Sequence, residues 1–156
     1  MRGVWSRLTL TLPVNVAEGL VLVKTLSVKV RGQGLHEFTD QVQAAVHESG
    51  VKEGLCTLFI QHTSASLLVQ ENADPSAKRD LERWLNRLVP EGDPFYSHTT
   101  EGPDDMPAHI KAALTQTNLS IPIAGGRLAL GTWQGVYLWE HRHGGSTRRV
   151  IVHVGV

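Results

Sequence analysis

Eight histidines in 156 residues give this chain more imidazole than an average domain, and four of them sit where a fold could gather them. His62 ends an apolar run and is followed by Thr63-Ser64-Ala65-Ser66. His98 lies in Tyr96-Ser97-His98-Thr99-Thr100-Glu101-Gly102, and His109 follows the acidic pair Asp104-Asp105 by one helical turn. His141 stands in Glu140-His141-Arg142-His143, just ahead of Gly144-Gly145. Three imidazoles with one open position suit a transition metal such as zinc, because neutral imidazole is a borderline-soft donor. Nearby carboxylates would orient the second ring nitrogens. No two of these histidines are spaced as a ligand pair on one helix, so spacing alone does not lift a metal site above ordinary satisfied or exposed histidines. His36, His47, His143 and His153 are left out of the site.

The same polar ends could hold an anion. Two expected helix N-termini, after Asp74 and Asp105, offer free N–H groups, and Ser64, Ser66, Arg142 and the Gly144-Gly145 amides could add donors. Asp74 reads first as a helix cap. Arg142, Arg148 and Arg149 form a local basic group, read here as a solvated hairpin. His62 with Ser64 or Ser66 makes a poor base–nucleophile pair, since residues two or four apart on an extended chain lack in-line geometry. Phosphate-binding glycine loops and the Gly-x-Ser-x-Gly elbow are absent.

The elements that must position these residues alternate between strand and helix signals. Arg7–Leu12 alternates as a strand closed by Pro13, and Leu22–Arg31 alternates again up to Gly32-Gln33-Gly34. Phe38–Ser49 reads as a helix, with Thr39 as N-cap and Gly50 as the stop. Gly54–Gln61 is a buried strand holding Cys56, a structural thiol. Thr63–Ser66 is a turn, and Leu67–Glu71 is extended. Asp74 caps a helix that Pro75 starts, with Leu81, Trp84, Leu85 and Leu88 as its apolar face. Residues 91–106 form a polar loop, and Asp104-Asp105-Met106-Pro107 opens a short helix to Leu114. Strands follow at Leu119–Ile123 and Arg127–Leu130. Gly131–Gly135 interrupts before a strand at Val136–Arg142, and a hairpin turn at His143–Ser146 leads to a last strand at Arg148–Val154. The pattern predicts one α+β domain with a mostly antiparallel, β-sandwich-like core and two or three helices.

Lys plus Arg equals Asp plus Glu at 15 each, which argues against a broad electrostatic grip on nucleic acid or an anionic membrane. No run approaches a membrane span, and no signal peptide is read at the start. The lone Cys56 suits a reducing cytoplasm.

Four strings in order carry a resemblance: His62-Thr63-Ser64-Ala65-Ser66-Leu67; Glu71-Asn72-Ala73-Asp74-Pro75; Glu101 through Lys111; and Gly131-Thr132-Trp133-Gln134-Gly135 running on to Glu140-His141-Arg142. Together they resemble the YjbQ-like family over roughly Lys24 to Val154. Residues 1–22 then form an N-terminal extension, read as an added strand, ahead of a domain at 23–156. The resemblance implies a homotrimer and a secondary thiamin-phosphate synthase activity, which joins a hydroxymethylpyrimidine diphosphate to a thiazole phosphate. It places His62, His98, His109 and His141 as metal ligands, for zinc or magnesium. Glu101, Asp105, Gln134 and Glu140 become catalytic candidates, and Ser64, Asn72 and Arg142 contacts for a small, phosphorylated ligand. Thr99 and Thr100 stand where the family often has an acidic residue. The alternatives are a metal-dependent small-molecule hydrolase with Glu101 or Glu140 as base, and a non-catalytic ligand-binding trimer.

Overall fold

A computed structural model describes residues 21–156 as eight strands and three helices. The expected strand at Arg7–Leu12, and nearly all of the expected 1–22 extension, lie outside the described residues. Strands β1 (Leu22–Val30), β8 (Ser146–Gly155), β3 (Gly54–Ile60), β5 (Asn118–Ala124) and β6 (Arg127–Leu128) form one sheet in that order. Strands β2 (Gly34–Glu37), β7 (Gln134–Glu140) and β4 (Ala65–Glu71) form a second. Every pairing is antiparallel.

The main core lies between the sheets. Val28, Leu58, Ile121 and Val152 from the larger sheet meet Leu67, Val136 and Leu138 from the smaller, and helix α1 (Thr39–Ser49) adds Val42, Ala45 and Val46. A second cluster covers the other face of the small sheet. There Leu35, Tyr137 and Trp139 pack on Leu85 and Val89, from α2 (Pro75–Leu88) and just beyond it, with Ile110 of α3 (Asp105–Leu114) alongside. Strand β7 is therefore buried on both faces, which is why Val136–Trp139 reads as an apolar run with no alternation. The larger sheet alternates along β1 and β5, and its outer face carries Val23, Leu55 and Phe59 largely exposed.

Several local expectations are corrected. Phe38, not Thr39, is the N-cap of α1; the Thr39 hydroxyl instead accepts the Val136 N–H and donates to Glu37. The chain after Val30 does not simply stop at Gly34 but begins β2 there, paired to β7. Trp84 and Leu88 are about half exposed, so only Leu85 of the expected α2 face is fully buried. The segment His143–Ser146 is not a hairpin turn: β7 and β8 belong to different sheets, and Gly144-Gly145 carries the chain between them. Other signals hold. Asp74 accepts the Ser76 N–H at 2.8 Å with Pro75 behind it, and Gly50 closes α1 in the left-handed region.

Candidate functional site

The paired positions Ala65 and Glu140 mark one end of the small sheet. To this end come the exit of β3 at His62, the turn Thr63–Ser64, the residues after β7 and the N-terminus of α3. Loop 89–104 joins them from α2.

At the head of α3, Asp105 is 1% exposed and its two oxygens face different partners. Oδ1 takes Arg142 Nη1 at 2.5 Å. Oδ2 lies 2.7 Å from His98 Nε2 and 3.5 Å from His109 Nε2. His109 is one turn along the helix, where i and i+4 side chains share a face. Its Nδ1 donates to the Thr63 carbonyl at 3.0 Å, which leaves the Nε2 lone pair turned toward Asp105. One donor atom from each of His98, Asp105 and His109 lies within 4.8 Å of the others. Despite these short distances Oδ2 makes no hydrogen bond, the one such buried side-chain atom among the described residues. Leaving a buried carboxylate oxygen unpaired costs roughly 1–3 kcal/mol or more. A cation shared by Oδ2 and two imidazole nitrogens would repay that cost, and two histidines with one carboxylate form a donor set of the kind that zinc and similar ions take. The residues present therefore fit a transition metal.

Arg142 holds the cluster from behind. Its Nε donates to Asp104 Oδ2 at 3.0 Å and its Nη2 to the Glu101 carbonyl at 2.8 Å. Asp104 also accepts the His143 N–H at 2.9 Å. Burial works to raise the Asp104 carboxyl, but these hydrogen bonds hold it below the usual carboxylate range. The Asp104 contact likewise raises Arg142. The Glu101 side chain is exposed, with Oε2 4.0 Å from Arg142 Nη1 at the edge of the cluster.

A second polar group lies beneath. Glu140 is 0% exposed and receives Arg148 through two contacts, at 2.5 and 2.6 Å, together with the Arg142 N–H. Arg148 also donates to Ser64 Oγ at 3.1 Å. The expectation of a solvated arginine hairpin is thus overturned for Arg142 and Arg148, since both guanidiniums are tied to buried carboxylates. His141 is buried and lies 2.9 Å from Ser66 Oγ through Nε2. Burial, then the charges of Lys111 and Arg148, drive it down to about 3. Lys111 is itself buried, lowered mainly by burial, and donates to Asn86 at 2.6 Å.

Of the four histidines singled out in the sequence, the fold brings His98 and His109 to one carboxylate. His141 is engaged with Ser66, and His62 Nε2 accepts the Arg149 N–H at 2.9 Å. Asn72 and Gln134 sit at the opposite end of β4 and β7, about 20 Å of strand away, where Gln134 accepts the Gly131 N–H. Sequence reading passed over Asp104 as a clamp, Ser66 as the partner of His141, and buried Lys111. The Asp104-Asp105 doublet was the available signal for the first; the other two depend on contacts far apart in sequence. Beside the cluster opens a cleft of about 770 Å³ lined by His62, Thr63, Ser64, His109, Arg148 and Phe59 among others. A smaller hollow, lined by Tyr96, Thr99 and Met106 among others, reaches His98.

Comparison with known proteins agrees with this fold. Residues 24–155 match the family model described as UPF0047 protein YjbQ-like. A UPF0047 protein of Synechocystis is 58% identical over 83% of this chain and 88% of its own length. The UPF0047 protein YjbQ of Escherichia coli O157:H7 is 44% identical over 82% and 93%. Among solved structures, a YjbQ/UPF0047 protein of Clostridium acetobutylicum superposes with TM-score 0.76 at 39% identity, over 84% of this chain and 98% of that one. A protein of unknown function from Sulfolobus solfataricus superposes with TM-score 0.79 at 25% identity, covering 88% and 98%.

Proposed function

We propose that this chain, which belongs to the YjbQ-like UPF0047 family, is a metal-dependent enzyme of small-molecule chemistry with its centre at His98, Asp105 and His109. The observation that carries the reading is the buried Asp105 Oδ2, which makes no hydrogen bond yet lies close to two imidazole nitrogens. A zinc-type ion held there would supply a Lewis acid and an acidified water. The protein's own part is to fix the ligands. Thr63 sets the His109 tautomer, Arg142 holds Asp105 by its other oxygen, and the exposed Glu101 stands by as a proton acceptor. Glu140 is unsuited to that role, because Arg148 and the Arg142 N–H occupy both its oxygens.

Hydrolysis is the reaction class that suits such a site best. Thiamin phosphate formation is the second reading. It is favoured by the size of the cleft, which falls within the range of about 300–1,000 Å³ that holds small organic ligands. It ranks second because diphosphate release ordinarily uses magnesium, and magnesium prefers clustered oxygens to imidazole. Assembly as a homotrimer belongs to the same proposal, supported by the exposed Val23 and Leu55 on the outer sheet face. A cytoplasmic setting is supported by the single Cys56, buried and with its thiol pushed up to about 11. Among the described residues no helix is long and apolar enough to cross a membrane.

The test is metal content. Purified protein should carry near one equivalent of a transition metal per chain. His98→Ala and His109→Ala should each lose it while keeping a native circular dichroism spectrum. Full retention of metal by the double variant sinks the reading. Rescue of a strain lacking thiamin-phosphate synthase decides for the second reaction.

A further inference from the structure

The ring of His62 is asked to accept more hydrogen bonds than it can. Its Nε2 faces the Arg149 backbone N–H at 2.9 Å, and its Nδ1 faces Arg148 Nη1 at 3.3 Å. Both neighbours are obligatory donors. A neutral imidazole has one acceptor nitrogen and one N–H, so only one of these contacts can be a hydrogen bond. The backbone contact is the shorter and takes the lone pair. The proton must then sit on Nδ1, pointing at a guanidinium that also carries protons. Burial, followed by the charges of Arg148 and Arg149, lowers His62, which favours this neutral form. Among the described residues, His62 Nδ1–H and Arg148 Nη1 thus stand as two donors together on the cleft wall with no acceptor for either. The Ser64 hydroxyl lies beside them. Its oxygen accepts from Arg148 Nη2, so its own hydrogen is free to donate.

These donors line the same 770 Å³ cleft as His109. They are joined to the histidine cluster through Thr63, whose carbonyl takes the His109 Nδ1 proton. We infer that His62, Arg148 and Ser64 form an oxyanion subsite, which takes the carboxylate or phosphate of a small organic substrate whose reacting group lies at His98, Asp105 and His109. The second half of that statement rests on the proposed metal-dependent reading; the subsite itself does not. Glu140 neutralises most of the Arg148 charge. The subsite therefore recognises by convergent hydrogen bonds more than by net charge, and a bare anion should bind on the order of millimolar. Apolar Phe59 and Ile60 on the cleft wall favour an organic body behind the anionic group.

The experiment is long-range proton–nitrogen NMR of the histidine rings in the full-length protein, titrated in separate arms with inorganic phosphate and with acetate. The His62 ring should show the Nδ1–H tautomer before addition. Either anion should then shift its Nδ1 resonance at millimolar concentration, and the tighter arm tells phosphate from carboxylate. His62→Ala should weaken binding at least tenfold. His62→Gln should restore much of it, because the amide can accept from Arg149 and donate into the cleft. His98→Ala, which would abolish metal binding, should leave anion binding intact, so the two proposals fail separately. An Nε2–H tautomer, equal binding by His62→Ala, or no response to either anion up to about 50 mM would each overturn the subsite.

Discussion

The economy of this site rests on one carboxylate whose two oxygens have different duties. Asp105 Oδ1 is tied to Arg142 and Oδ2 is left for the imidazoles. Arg142 can do this because its planar guanidinium meets Asp104, Asp105 and the Glu101 carbonyl at once through Nε, Nη1 and Nη2. A lysine ammonium is a point charge and cannot span three acceptors in one plane. Arg142→Lys should accordingly keep the fold and weaken metal binding about 10–100-fold, as for other groups that orient a metal ligand. Competition against a chromophoric chelator measures this, and unchanged affinity would show that Arg142 does not position the ligand. The Glu140–Arg148 pair makes a complementary case. Removing Arg148 alone strands a buried carboxylate, so Arg148→Met should destabilise by about 3–5 kcal/mol. The double variant Glu140→Gln, Arg148→Met should recover most of that loss in urea unfolding. A double variant no more stable than the single one would mean that the cost comes from lost packing rather than from the stranded charge.

At the scale of elements, the parts that announce themselves locally are those that were legible in the sequence. The Asp74-Pro75 start of α2, the Gly50 stop of α1 and the alternation along β1 and β5 each follow from a few adjacent residues. What was not legible depends on partners far along the chain. Strand β2 is four residues long and exists because β7 pairs with it and because Glu82 of α2 accepts the Leu35 N–H on its free side. The Gly144-Gly145 turn looked like a hairpin because no local signal distinguishes a turn within a sheet from a crossing between two sheets. The site shows the same division. His98 and His109 could be picked out as residues at element ends, but the meeting of both on Asp105 needed loop 89–104 to fold back over α3. The glycines test how far such local readings go. Gly125 stands at φ +58° with open space around it, so Gly125→Ala should cost only about 1 kcal/mol for the left-handed backbone. Gly54 has no positive φ, yet a Cβ there would sit 2.2 Å from the Gly155 carbonyl oxygen of β8. Gly54→Ala should therefore cost more, about 2–3 kcal/mol, by prying β3 from β8. Urea unfolding that ranks the two variants the other way would contradict the register at this end of the sheet.

For the whole molecule, the burial of neutral histidine sets how stability answers to acid. His141 follows β7 directly, at the end of the small sheet where α3 begins, and its pKa in the fold is about 3 against 6.5 for the free side chain. Between those values the unfolded chain binds a proton that the folded chain refuses, so stability rises with pH across the window. The contribution is complete above about pH 6.5 and is lost progressively as pH falls toward 3. His62, lowered in the same direction, adds to the effect near the top of the window. Asp104 adds only at the bottom, because its carboxyl is lowered from 3.8 and stays ionised until the medium is more acid still. From pH 6.5 to about 5 the buried histidines dominate, and His141 alone should remove on the order of 2 kcal/mol of unfolding free energy. Metal release would add a pH dependence of its own, so the measurement belongs on chelator-treated protein in urea at a series of pH values. His141→Gln, which keeps a polar group near Ser66, should lower stability at neutral pH but flatten the slope between pH 6.5 and about 5. A variant as steep as the parent in that interval would locate the acid sensitivity elsewhere and remove His141 from the account.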